Sequence, residues 1–246
     1  QRSLVGSEMC IRDSITPYSF DIELADNTMS ARYAVSHQSA IYDINFLEKG
    51  QPRYIMINSQ QGAITVGDGF VSGYQQVTQG TQVYIYAEFD TKPEAQGILK
   101  EGKLDATATT AQGRNACAAL RFANGTSHVG VRYGVSFISE EQAKKNLYRE
   151  QQGFNLTAVK QQGRDVWNKA LAKIAVTGGT DDQKTVMYTA YYRTFERPVC
   201  LSEDGKYFSA YDGKIHADGG TPFYTDDWIW DTYRAAHPLR ALITPE

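Results

Sequence analysis

Four stretches in the first half of the chain alternate apolar and polar residues with the period of two that marks a half-buried strand. They are residues 18–24, 40–46, 83–89 and 129–137. Gly, Asn and Asp turn residues separate these stretches, and short strands joined by such turns are typical of an antiparallel β-sandwich. The pattern therefore predicts a sandwich domain over residues 15–138.

The period changes from that of strands to that of helices at Ser139. Ser139 and Gln142 have the spacing of a capping box, which predicts a helix of about ten residues. A second helix is predicted after Gly153, and Thr180 with Gln183 predicts the start of a third. The apolar face predicted for the second helix consists of Val159, Val166, Trp167, Ala170, Leu171 and Ile174. The apolar stripe predicted for the third consists of Val186, Met187, Ala190 and Tyr191.

Three Asp-Gly pairs come after these helices, at 204–205, 212–213 and 218–219. Asp-Gly favours tight turns, so residues 200–224 are predicted to form a hairpin or loop. A last helix is predicted to begin near Asp231. Strands first and helices afterwards indicate a sheet domain, a helical linker over residues 139–178, and the start of a helical domain over residues 179–246.

Composition excludes several classes of protein. Apolar residues make up 41% and charged residues 22%, as in an ordinary globular protein. The net charge of -3 and the absence of a basic stripe argue against a nucleic-acid partner, and no apolar run is long enough for a transmembrane helix. His37 and His128 are isolated and are predicted to be structural. The cysteines are widely spaced, so we expect buried thiols and no disulfide framework. They are Cys10, Cys117 and Cys200.

The first fourteen residues, QRSLVGSEMCIRDS, differ from the rest of the chain. They show no periodicity and lack the apolar core and cleavage site of a signal peptide. The string is similar to translated sequencing-adapter text from assembled environmental DNA. We therefore expect residues 1–14 to be non-native and without stable structure, and the chain to be a slice of a longer protein.

The segment YTDDWIWDTYRAAHPLRALI at residues 224–243 carries the candidate chemistry. A pyranose offers apolar C–H faces and a rim of hydroxyls, which an indole and a carboxylate can bind together. Trp230 and Asp231 supply these groups, and Arg234 follows Asp231 by three residues on one helical face. Two structural alternatives remain open: Asp231 could cap the helix, and Trp228 and Trp230 could belong to a core.

Three pieces of the sequence, in this order and spacing, resemble glycoside hydrolase family 92, the exo-acting α-mannosidases. They are GVSFISEEQAKKNL at 134–147, TGGTDDQKTVMYTAYYRTFERPV at 177–199 and YTDDWIWDTYRAAHPLRALI at 224–243. The resemblance covers about residues 15–246. One local departure is 227–229, Asp-Trp-Ile, where the family text is closer to Phe-Ser-Leu.

The resemblance implies a β-sandwich, a helical linker and the first helices of a catalytic (α/α)6 toroid. It implies an inverting, calcium-dependent exo-α-mannosidase acting on mannose-containing glycans in the periplasm or at the cell surface. Trp230 and Asp231 match the subsite for the terminal mannose, and Arg234 is carried over with them, whereas His237 is taken as a structural neighbour of Pro238. The catalytic acid and base, and most calcium ligands, are expected beyond Glu246.

These expectations place no catalytic residue and no metal ligand within the chain. The chain alone is therefore expected to be inactive, with exposed helix faces that favour aggregation. Two alternatives remain: another inverting (α/α)6 glycosidase of the trehalase kind, and a non-catalytic carbohydrate-binding module.

Overall fold

The computed structural model describes residues 10–24, 28–48, 50, 52–225 and 227–245. Eleven described strands form one antiparallel sheet. They are β1 Cys10–Thr16, β2 Ser19–Leu24, β3 Met29–Val35, β4 Ser39–Phe46, β5 Arg53–Gly67, β6 Phe70–Thr78, β7 Thr81–Phe89, β8 Ala95–Lys100, β9 Lys103–Asp105, β10 Thr110–Phe122 and β11 His128–Ser136. The helices and hairpin after the sheet are α1 Glu140–Glu150, α2 Leu156–Leu171, α3 Asp181–Arg193, β12 Lys206–Ser209, β13 Lys214–Ala217, α4 Ile229–Thr232 and α5 Ala236–Ile243.

The long sheet folds on itself into a sandwich. Its strand order is β1-β2-β3-β4-β11-β7-β6-β5-β10-β8-β9, so β10 and β11 are separated by three strands within the sheet. Their side chains nevertheless share one core, which includes Leu120 and Phe122 on β10 and Val129 and Val131 on β11. The predicted sandwich is confirmed, and each of the four predicted strands is present within a residue or two of its predicted bounds.

Helices α1 and α2 cover the outer face of this sandwich. Leu156 and Val159 of α2 pack on Ala34 and Ile41, and Ala143 and Leu147 of α1 pack on Tyr86. The strand period of two explains the arrangement, because alternate residues of β4 and β11 face the inner core and the helices. A glycine at position 134 allows the close approach of α1: a Cβ there would lie 2.1 Å from the carbonyl oxygen of Ala143.

A half-buried carboxylate, Glu88 on β7, joins the sheet to α1. Its Oε2 accepts hydrogen bonds from Arg132 Nη2 at 2.6 Å and Nε at 3.1 Å, and its Oε1 accepts from the hydroxyl of Tyr148 on α1. Burial opposes the charge, but the hydrogen bonds from Tyr148 and Arg132 outweigh it and lower the pKa of Glu88 below its usual 4.5. Arg132 Nη1 also donates to the carbonyl of Gln151 at 3.0 Å, just after α1.

The expectation of an unstructured leader over residues 1–14 is wrong for residues 10–14. These residues belong to β1, which pairs antiparallel with β2. The pairing runs from Cys10↔Leu24 at one end, through Ser14↔Asp21, to Thr16↔Ser19 at the other end. Backbone hydrogen bonds of an added edge strand require no apolar periodicity, so the sequence pattern does not reveal it. Residues 1–9 lie outside the described part of the chain.

The predicted helices are confirmed, but some of their details are wrong. Thr180 and Gln183 form a complete capping box, whereas Ser139 accepts from the Gln142 N–H and the Gln142 side chain turns away to Asn146 and Asp204. Val166 and Val186, assigned to apolar faces, are exposed by 66% and 70%. Helical spacing predicts which residues lie on the same face of a helix, but it does not predict which of these residues pack against another element of the described structure.

Two further expectations concern cysteines and membrane spans. Cys117 and Cys200 are free thiols, and both are half-buried, less enclosed than predicted. Burial raises the pKa of the Cys117 thiol. Among the described residues, no helix is long and apolar enough to cross a membrane.

Candidate functional site

The candidate sugar-contact segment is held in a backbone ladder with the chain that precedes the β12–β13 hairpin. Leu201 N donates to Phe223 O at 2.7 Å, and Thr225 N donates to Val199 O at 2.8 Å. The Thr225 hydroxyl in turn accepts from Val199 N at 2.9 Å. The predicted hairpin over residues 200–224 is thus confirmed, and its two ends are tied together where the segment begins.

A buried carboxylate fixes this ladder to the sandwich and to α1. Glu203 is only 2% exposed. Its Oε1 accepts from Phe137 N at 2.8 Å, and its Oε2 accepts from Asn146 Nδ2 at 2.7 Å. Asn146 Nδ2 also donates to Val135 O at 2.9 Å. Because both carboxylate oxygens accept hydrogen bonds from N–H donors of other elements, Glu203 fixes the position of the hairpin relative to the sandwich and α1.

Asp227 organises the turn immediately before the tryptophans. Its Oδ1 accepts from Trp228 N at 2.8 Å, and its Oδ2 lies 3.3 Å from Arg240 Nη1 and 3.4 Å from His237 Nε2. Burial opposes ionisation, but the hydrogen bonds from Arg240 and from the Trp228 N–H outweigh it and lower the pKa of Asp227. Arg240 also donates to the carbonyls of Thr194 and Arg197, so α5, the end of α3 and the turn form one cluster.

The predicted sugar-contact residues lie on and just after α4. The indole of Trp230 is 75% exposed, and Asp231 and Arg234 are also exposed. No described residue pairs with the Asp231 carboxylate, whereas Arg234 Nε donates to the Tyr233 hydroxyl at 2.7 Å. The structure therefore presents an indole and a free carboxylate side by side, but it does not join Arg234 to Asp231.

Neither structural alternative for this segment describes the observed geometry. Trp228 is the N-cap of α4, and no side chain caps that helix, so Asp231 is not a capping residue. Trp228 is 54% exposed and stacks under the Arg197 guanidinium, whose Cζ lies 4.5 Å from the ring centroid. A helix begins near Asp231 as predicted, but this helix, α4, ends at Thr232 and is not the last one, because α5 follows it.

The described residues do not assemble a cation site. No group of three or more His, Cys, Asp or Glu side chains among them is placed to hold a metal ion. A calcium ion prefers several oxygen ligands, and the free Asp231 carboxylate supplies only part of such a set. The side chains seen here therefore do not by themselves fit calcium.

Sequence reasoning missed the supports of the site while finding its exposed groups. Glu203 and Asp227 were not singled out, although each holds the segment through partners more than ten residues away. His237, expected to be a structural neighbour of Pro238, has its Nε2 3.4 Å from Asp227 Oδ2. Of these two supports, only Asp227 has a signal in the sequence, because Asp227 lies in the one stretch that departs from the family sequence.

Known proteins resemble the chain over nearly its whole length. The family model for the glycosyl hydrolase family 92 N-terminal domain matches residues 8–136, and the model for the family 92 catalytic domain matches residues 142–246. No curated protein matches the chain in sequence.

Solved structures of this family share the fold. The family GH92 inverting mannosidase BT2199 from Bacteroides thetaiotaomicron VPI-5482 has a TM-score of 0.84 at 27% identity, with 93% of this chain and 32% of that chain covered. The family GH92 α-mannosidase BT3965 from Bacteroides thetaiotaomicron has a TM-score of 0.84 at 23% identity, with 95% and 34% covered. The GH92 family glycosyl hydrolase ccman5 has a TM-score of 0.84 at 21% identity, with 97% and 35% covered.

The chain spans about a third of the length of these solved structures. Within that part it has the folded sandwich, the linker helices and the start of the helical domain in one order. The N-terminal model alone matches more than half of the chain, and the catalytic model matches most of the remainder, residues 142–246. The chain therefore belongs to glycosyl hydrolase family 92.

Proposed function

We propose that the complete protein is an inverting, calcium-dependent exo-α-mannosidase that removes terminal mannose from glycans. The observation that carries the proposal is the match of the catalytic-domain model to residues 142–246, combined with 27% identity to an inverting mannosidase. This chain would contribute the sandwich, the linker and the first helices of the catalytic toroid. We also propose a periplasmic or cell-surface location, which rests on the family alone.

In this proposal, the segment around α4 forms part of the subsite for the terminal mannose. The exposed ring of Trp230 would pack on the C–H face of the sugar, and the unpaired Asp231 carboxylate would accept hydrogen bonds from two neighbouring hydroxyls. Arg234 would give up its hydrogen bond to the Tyr233 hydroxyl and would donate to a hydroxyl of the sugar instead. The ion cluster around Asp227 and the buried Glu203 would keep the segment in place before the sugar arrives.

The chemistry of inversion sets what the remainder of the enzyme must supply. A general acid must protonate the leaving oxygen while a general base activates water on the opposite face, with carboxyl groups about 6.5–9.5 Å apart. We propose that residues beyond Glu246 supply this pair and the calcium ligands. When bound, calcium would supply a Lewis acid that coordinates neighbouring hydroxyls of the sugar.

The test uses the complete enzyme with Asp231→Asn and a matched control, Asp218→Asn, which alters an exposed turn carboxylate. Loss of a charged acceptor to sugar hydroxyls should cost about 1.5–3 kcal/mol in kcat/KM on a synthetic α-mannoside, with an unchanged melting temperature. A lower melting temperature with normal turnover would show that Asp231 only supports the fold. Faster hydrolysis of an α-glucoside than of an α-mannoside would assign the enzyme to another sugar.

A further inference from the structure

An open cleft on the outer face of the sandwich contains polar groups that the proposed active site does not use. It has a volume of about 490 Å³ and lies where β3, β4 and β11 meet the start of α2. This volume is within the range of about 300–1,000 Å³ that is usual for small-ligand sites. Its lining includes Arg32, Asp43, His128, Phe154 and Thr157. None of these residues belongs to the α4 segment.

Charged groups from neighbouring strands converge in this cleft. Asp43 on β4 pairs with Arg32 on β3, and its Oδ1 lies 2.5 Å from Nε2 of His128 on β11. Nδ1 of the same ring lies 3.6 Å from Oδ2 of Asp90, which comes directly after β7. His128, expected to be isolated, therefore stands between two carboxylates.

One polar atom of the cluster is left without a hydrogen bond. Asp43 Oδ1 is buried against the His128 ring, 2.5 Å from its Nε2, but no described donor is oriented to form a hydrogen bond with it. A buried carboxylate oxygen without a hydrogen bond costs free energy.

The floor of the cleft depends on a glycine. At Gly130, an added Cβ would lie 2.6 Å from Asp90 Oδ2 and 3.2 Å from the Phe154 ring. Gly130 N donates to Asp90 Oδ1 at 2.8 Å, which holds that carboxylate at the edge of the cluster. The open floor therefore brings a carboxylate and an aromatic ring close to the same space.

The mixture of groups selects the chemistry of the ligand. An anion would face the carboxylate of Asp43, and a cation would face the guanidinium of Arg32. A neutral ligand with many hydroxyls can donate to the Asp43 carboxylate and accept from Arg32, while a C–H face packs on Phe154. A pyranose combines these properties.

We propose that this cleft is a second, non-catalytic sugar site that binds a mannosyl unit of the glycan away from the bond being cleaved. The choice of mannose rests on the proposed function, whereas the existence of a sugar site rests on the cleft itself. Such a site would hold the substrate on the sandwich by adding a second contact to the terminal subsite.

The test is a titration of this 246-residue chain with methyl α-mannoside, followed by amide nuclear magnetic resonance. The amides of Gly130 and Thr157 should shift. Asp43→Asn should weaken binding at least about tenfold, equivalent to about 1.4 kcal/mol. Thr157→Tyr, at the exposed rim, should block the cleft without touching the ion pairs. Asp105→Asn is the matched control, because Asp105 forms a similar ion pair with Lys100 elsewhere on the sheet.

Several results would overturn the proposal. Absence of shifts at Gly130 and Thr157 with any of methyl α-mannoside, methyl α-glucoside and methyl β-galactoside would remove the sugar site. Shifts that persist in both Asp43→Asn and Thr157→Tyr would place the ligand elsewhere. A stronger response to inorganic phosphate or calcium chloride would refute a neutral ligand, and preference for another sugar would refute mannose. The Trp230 indole signal reports the proposed terminal subsite separately, so failure of one site is distinguished from failure of the other.

Discussion

Replacement of the buried Glu203 by glutamine should loosen the hairpin that carries the candidate subsite. In the native chain, two N–H donors, Phe137 N at 2.8 Å and Asn146 Nδ2 at 2.7 Å, point at its two oxygens. A glutamine amide offers one oxygen and one NH2 group, so one donor then faces another donor. Since a hydrogen bond to a charged group contributes about 1.5–3 kcal/mol, Glu203→Gln should lower the free energy of unfolding by about this amount.

The neighbouring carboxylate provides a matched control. Asp204 pairs with Arg149 at 2.5 Å, but these side chains are 47% and 39% exposed. Exposed pairs contribute little, so Asp204→Asn should cost at most about 1 kcal/mol. The backbone of Asp204 has φ of +50°, a conformation that asparagine also tolerates, so this variant introduces no new backbone strain.

Guanidinium unfolding of both variants measures the global cost, and hydrogen exchange locates it. In Glu203→Gln, the amides of Leu201 and Thr225, which form the ladder, should exchange about tenfold faster for each 1.4 kcal/mol of local destabilisation. The amides of β10, whose core does not involve Glu203, should change by no more than the loss of global stability measured in guanidinium. Equal losses in Glu203→Gln and Asp204→Asn would refute the reasoning, since burial would then not distinguish the two carboxylates.

Three further predictions concern the sandwich and the last helices. The pKa of Glu88 is lower in the folded chain than in the unfolded chain, so the ionised carboxylate stabilises the fold fully above about pH 4.5. This contribution is lost as the pH falls through the folded pKa. The difference in free energy of unfolding between wild type and Glu88→Gln, measured in urea, should therefore narrow as the pH falls over that range. Gly134→Ala should cost about 1–3 kcal/mol by forcing α1 outwards, whereas Gly125→Ala, with open space around it, should stay within about 0.5 kcal/mol in the same unfolding assay. Asp227→Asn should speed amide exchange in α5 and leave the sandwich unchanged, and unchanged exchange in α5 would show that the ion cluster does not hold this helix.

Local patterns in the sequence determined the class of the fold and the exposed part of the candidate site. Alternation of period two identified β4 and β11, because a strand in a sandwich shows one face to the core and the other to the outer layer. Thr180 and Gln183 identified the start of α3, because a capping box satisfies backbone donors within one turn. Trp230 and Asp231 were found because neighbouring residues on a short helix remain neighbours in space.

Tertiary structure decided which distant residues meet. β5 and β10, at 15 and 13 residues the longest strands, were not predicted; the Gly-, Gln- and Ala-rich centres of these strands lack clear alternation, and it is their mutual pairing that stabilises them. Glu203 and Asn146 are 57 residues apart, and nothing local indicates that one will be buried against the other. The cluster of Arg32, Asp43 and His128 depends on the order β3-β4-β11, in which a crossover places the eleventh strand beside the fourth. Sequence patterns report interactions within a few residues, whereas burial, pairing of charges and the shape of a cleft arise from contacts between strands that only the folded sheet brings together.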